Sequence, residues 1–177
     1  MAAHAAGSSS ALTVEVLSDL EIVLRRTFDA PRALVFKTMT DPALIPKWWG
    51  PHGYTTIVDK MDVRPGGEWR FVHRAPNGRE TAFHGVYREI APPDRLVYTF
   101  EWEGMPGHVS TETIRFEERD GKTAMINTVR YASVEDRDGV LNSGMQKGAA
   151  ETMDRLAMLI DEQGPANAAL RRGSGRP

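Results

Sequence analysis

His73 and Asn127 are the polar side chains whose placement could do chemistry. Both fall at positions that alternation along a strand turns toward the apolar face. A buried imidazole or amide must find a hydrogen-bond partner, which could be a ligand oxygen, another side chain or an ordered water. His73 has a further option, because the turn signal Asn77-Gly78 could place it at the solvent end of its strand. Around these two stand rings. Trp48 and Trp49 close a short helix, Trp69 and Phe71 share a face with His73, and Phe83, Tyr87, Tyr98 and Phe100 lie on the inward parity of later strands. The hydroxyls of Tyr87, Tyr98 and Tyr131 could reach the same pocket. Mostly apolar walls with a few convergent polar groups suit a site for a small hydrophobic molecule. Trp48 and Trp49 could offer a stacking surface at its mouth, while at least one of them staples its helix to the sheet.

Other chemistries find less support. The five histidines have no close metal-ligand spacing and there is no cysteine, which excludes disulfides, thiolate metal sites and cysteine nucleophiles. Ser110, Ser133 and Ser143 sit in no nucleophile motif. Acid–base work would need an inward carboxylate. Glu112 and Asp59 have that parity, but each also reads as a strand-end residue in water. Gly66-Gly67 belongs to no phosphate-binding pattern. No catalytic residue, metal or cofactor is therefore expected. A net charge of −2 gives no reason to expect nucleic acid, and no apolar run approaches the ~20 residues of a membrane span. Met1 to Ser10 lacks the basic and apolar regions of a secretory signal, so a cytoplasmic location is expected.

The elements that must position these groups change rhythm along the chain. Residues 1–17 and 164–177 are expected to be disordered tails around one domain over 18–163. Ile22 to Phe28 reads as a first strand. Two short helices follow, the first opened by Asp29-Ala30-Pro31 and the second by Asp41-Pro42 and limited by Pro46. Six strand-like runs then fill roughly residues 54–131, separated by Pro65-Gly66-Gly67, Pro76-Asn77-Gly78, Pro92-Pro93-Asp94, Gly104 to Gly107 and Asp120-Gly121. A long amphipathic helix is expected from Leu141 to Ile160, with Leu141, Met145, Ala149, Thr152, Leu156 and Leu159 on one face. That face must lie on the sheet. Its centre is small (Gly148, Ala149, Ala150, Thr152), which predicts a cavity beneath it walled partly by Met145, Ala149 and Thr152.

Longer stretches resemble a known family. They are Arg26 to Phe36, Asp41 through Trp48-Trp49-Gly50-Pro51, Asp62 to Phe71, Gly85 to Thr99, Phe116 to Thr123 and Ser143 to Leu156. Together they are similar to the bacterial homologues of the activator of the heat-shock-protein-90 ATPase, within the START-related, birch-pollen-allergen-like superfamily. The resemblance implies an α+β helix-grip fold: a curved antiparallel sheet of about seven strands, two short helices after the first strand, and a long C-terminal helix over the concave face. Many such relatives carry Trp where this chain has Ala149, and an aliphatic residue where it has Asn127. The expected function is binding of a lipid, sterol, aromatic or polyketide-like ligand between sheet and helix. The alternatives are a chaperone-interaction module in stress response and a cyclase or dehydratase using the same cavity. The expected partners are a small apolar ligand or a chaperone, for a monomer or weak dimer.

Overall fold

The computed structural model describes residues 10–164. In chain order its elements are β1 (Thr13–Val16), β2 (Glu21–Phe28), α1 (Arg32–Thr40), α2 (Ile45–Trp48), β3 (Thr55–Met61) and β4 (Glu68–Arg74). They continue with β5 (Glu80–Ala91), β6 (Arg95–Trp102), β7 (Ser110–Arg119), β8 (Lys122–Arg130), α3 (Val134–Asn142) and α4 (Met145–Gln163). One eight-stranded sheet runs in the spatial order β1-β2-β8-β7-β6-β5-β4-β3, antiparallel throughout. The register shifts between Val58 and Lys60 in β3 and between Tyr87 and Glu89 in β5. Such bulges bend a strand and deepen its twist, so the sheet curves around the C-terminal helix. This is the helix-grip arrangement.

Two expectations are corrected. The N-terminal tail was expected to reach residue 17, but Thr13–Val16 pair with Arg25 through Ile22 and add an eighth strand. Leu12 and Val14 pack there against a cluster of Ile22, Leu24, Val129 and Tyr131, so a short apolar alternation is enough to cover this edge. The remaining tail residues, 1–9 and 165–177, lie outside the described residues. The closing helix is also two helices. Gly144 has φ 81°, a left-handed conformation that ends α3 and starts α4, so Leu141 belongs to α3. Ser133 begins α3 by accepting a hydrogen bond from the Asp136 N–H at 3.1 Å.

The main core lies at one end of the grip. Leu156, Ala157, Leu159 and Ile160 of α4 are buried with Phe28, Val35, Phe36, Ile45, Ile114 and Phe116. A side chain such as Leu156, fully withdrawn from water, contributes roughly 1.5–3 kcal/mol. Arg26 turns inward from β2 and is itself buried, and its Nη1 donates to Asp154 Oδ1 of α4 at 2.6 Å. Sheet and helix are thereby tied in register beside the core.

Candidate ligand-binding cavity

Next to that core the sheet and α4 separate, and a cavity of about 590 Å³ opens between them. Its roof is the first half of α4, where Met145, Gly148, Ala149, Thr152 and Met153 face it. Met145 and Ala149 touch only the cluster of Ile22, Leu24, Val129 and Tyr131 at one side, and none of the residues of this small-residue stretch is fully buried. The floor is the concave face of β6, β7 and β8, through Tyr98, Phe100, Glu112, Ile114, Met125, Asn127 and Val129. Alternation along neighbouring strands gathers these groups, since Tyr98 is registered opposite Glu112, and Ile114 opposite Asn127. One side wall is Trp48, Trp49, His73 and Phe83. Trp102, Met105 and Val109 border the cavity yet are exposed, marking where it meets solvent. At that mouth His108 Nδ1 lies 2.5 Å from Asp136 Oδ1, joining the β6–β7 loop to α3.

Ten of the residues singled out from sequence therefore border one space: Trp48, Trp49, His73, Phe83, Tyr98, Phe100, Asn127, Met145, Ala149 and Thr152. Trp69, Phe71 and Tyr87 do not. They belong to the core and touch a separate crevice of about 40 Å³. Trp69 lies over Gly85, where a Cβ would come within 2.7 Å of the indole nitrogen, and its Nε1 donates to the Thr99 carbonyl at 3.2 Å. The two adjacent tryptophans both reach the cavity because Trp49 has left the helix, with extended dihedrals of −71° and 123°. Trp48 is anchored by donation from Nε1 to the Thr38 carbonyl at 3.1 Å. Trp49 sits among Phe71, His73 and Phe83, with ring centroids 5.0, 4.5 and 5.4 Å away.

The polar groups are few and specific. Glu112 lies within the protein and meets the cavity. Tyr98 Oη donates to its Oε2 at 2.9 Å and Asn127 Nδ2 donates to the same oxygen at 2.7 Å. Burial raises the carboxyl above the usual range, opposed by those two hydrogen bonds. Burial also pushes the Tyr98 hydroxyl up, and the neighbouring Glu112 adds to this. Asn127 Oδ1 and His73 Nε2 are buried with no hydrogen-bond partner among the described residues. The His73 ring is held down to about 4, by burial first and by Arg155 second. Arg155 reaches from α4 to the Gly50 carbonyl at 2.8 Å and the Lys47 carbonyl at 3.2 Å, so it fixes the loop that carries Trp49.

Of the two readings the sequence left for Glu112, inward by parity or in water at a strand end, the structure bears out the first. Its shared parity with Ile114 and Phe116 was the signal for this. The helix α3, which brings Asp136, Gly139 and Val140 to the cavity, was missed as a separate element. Ser133 followed by Glu135 and Asp136 was its readable start.

The comparisons agree with this architecture. A family model described as Activator of Hsp90 ATPase homolog 1-like protein matches residues 29–161. A Rhodobacter sphaeroides protein of known structure is 26% identical, with a TM-score of 0.81 over 86% of this chain and 99% of that one. A Mycobacterium smegmatis protein is 27% identical, with a TM-score of 0.75 over 84% of this chain and 96% of its own. A Schizosaccharomyces pombe protein described as uncharacterized is 25% identical over 124 residues, 70% of this chain. The chain spans about a third, 33%, of that curated relative's length. No helix among the described residues is long and apolar enough to cross a membrane.

Proposed function

The chain belongs to the Activator of Hsp90 ATPase homolog 1-like family, and from that premise we propose that it binds a small, largely apolar molecule between its sheet and α4. One observation carries this reading: a cavity of about 590 Å³, aromatic and aliphatic in its walls, bordered by Asn127 and His73, whose Oδ1 and Nε2 are buried with no partner among the described residues. Leaving a buried polar atom unpaired costs roughly 1–3 kcal/mol, so a ligand that pairs with one recovers that cost on binding. In this reading the rings supply the apolar contact, and Asn127 and His73 orient the guest.

Tryptophan emission tests it directly, because Trp48, Trp49 and Trp102 border the space. Titration with lipid, sterol and polyketide panels is expected to give a saturable change with at least one class. Ala149→Trp, which fills the space from the roof, is expected to abolish that change while leaving the far-UV circular dichroism intact. A flat response to every panel would count against the proposal. The family description favours a second reading, in which a surface of the chain stimulates a chaperone ATPase. Stimulation that persists in Ala149→Trp would support that reading over the cavity.

A further inference from the structure

We infer that the cavity is built for a hydrophobic amine, whose protonated nitrogen sits beside the carboxyl of Glu112. This names the ligand class for the binding site proposed above and rests on that reading.

The first argument is what the polar groups still lack. Asn127 Nδ2 donates to Glu112 Oε2, which orients the amide and leaves Oδ1 an acceptor with no partner among the described residues. The Tyr98 hydroxyl donates to the same Oε2, so Glu112 Oε1 lies outside both bonds. The Asn127 oxygen is closed to the cavity, so the open acceptor is the carboxyl; it calls for a donor, and an ammonium offers donors alone.

The second argument is sign. Glu112, Glu135 and Asp136 border the cavity, and among the described residues no Lys or Arg does. The guanidinium that acts on His73, that of Arg155, is held by the carbonyls of Gly50 and Lys47. His73 stays neutral at physiological pH, because its ring is pushed down to about 4. A carboxylate guest would meet only His108, at the mouth and already beside Asp136, and at depth would stand beside Glu112, where no base faces it to offset its desolvation. A cation finds a carboxyl at depth, acidic residues at the mouth, and the faces of Trp49, Phe83 and Phe100 on the way.

The proton balance closes. Tyr98 from β6, Asn127 from β8 and Tyr131 just beyond β8 stand around Glu112, and none of the three is cationic. Burial favours the neutral acid, and an ammonium alongside reverses that preference. Where Glu112 carries its proton, an amine arriving uncharged takes it onto its nitrogen and one arriving as ammonium sends it to solvent; where Glu112 is ionised, the ammonium pairs with it directly. Each route leaves an ion pair with no net charge in the interior.

Calorimetric titration of the full chain with phenylbutylamine, phenylbutanol and phenylbutyrate compares one skeleton with three head groups. The amine is expected to bind roughly ten- to hundred-fold more tightly than the butyrate. Glu112→Gln is expected to remove that preference while the alcohol binds as before. Asn127→Leu serves the same purpose if circular dichroism shows Glu112→Gln unfolded. Equal affinity for all three compounds, or tightest binding of the butyrate, overturns the amine assignment and leaves the cavity reading standing. An amine preference undiminished in both variants overturns the assigned seat. Failure of all three to bind overturns the assignment together with the cavity reading.

Discussion

The imidazole of His73 is wedged against Trp49 and Phe83, with ring centroids 4.5 and 5.1 Å away, and a Cβ on Gly50 would come within 2.5 Å of its Nε2. Packed between Trp49, Phe83 and Gly50, the ring meets protonation in a buried setting that opposes the charge. Folded, it titrates near about 4 instead of its ordinary 6.5. As pH falls through that window the unfolded chain takes up a proton that the native chain refuses. Stability is therefore full above about 6.5, declines as pH falls, and has lost this contribution below about 4. The loss is at most roughly 3 kcal/mol. Urea unfolding at pH 7.5 and pH 5 is expected to show a larger drop for the wild type than for His73→Gln. Glu112 contributes with the opposite sign, since its raised carboxyl favours the fold at low pH, so the difference between the two proteins isolates the imidazole. Strand parity alone was enough to turn His73, Asn127 and Glu112 inward. The fate of Glu112 depended on α3 and the β6–β7 loop closing over a strand end, a long-range contact that no local pattern encodes.

Among the elements, α4 is where sequence pattern and structure differ most usefully. The apolar periodicity from Leu141 to Leu159 runs through Gly144 without interruption, because α3 and α4 present neighbouring apolar residues to the same space. A left-handed glycine breaks the helix while the hydrophobic pattern continues, so periodicity alone reads one element where there are two. The strands were more legible. Their turns are marked by Pro, Gly and Asn, and β4 (Glu68–Arg74) and β6 (Arg95–Trp102) begin directly after the expected turns Pro65-Gly66-Gly67 and Pro92-Pro93-Asp94. The four-residue β1 was lost because its neighbours resemble a polar tail. Within α4, Gly148 sits over open space, and a Cβ there would meet nothing within 4 Å. Gly148→Ala is expected to stabilise the protein by roughly 0.5–1 kcal/mol, from helix propensity without a clash. Denaturant unfolding measures this, and a loss of stability would show that the space beneath the glycine is filled.

For the molecule as a whole, the two ends of the grip are unequal. Phe28, Phe36, Ile114 and Phe116 close one end over Leu156, Leu159 and Ile160, while the other end is held by the smaller cluster of Ile22, Leu24, Val129 and Tyr131. The helix-grip plan was readable because curved sheet and amphipathic helix each demand the other. Which aromatics become core and which face the cavity was not, since Trp69, Phe71, Phe83 and Phe100 share one inward parity and differ in how far α4 stands above them. The unequal anchoring of α4 has a dynamic consequence. Met145 to Thr152 begin at a glycine that offers no side-chain cap, and no residue of that stretch is fully buried; from Leu156 onward the helix is clamped. The half from Met145 to Thr152 is held, among the described residues, only by Met145 and Ala149 on the smaller cluster and by Glu151 accepting from the His52 N–H, so fraying is expected there first and offers a route for the proposed guest. Hydrogen–deuterium exchange is expected to be fast over residues 145–152 and slow over 156–160, with the fast half quietened once a guest is seated.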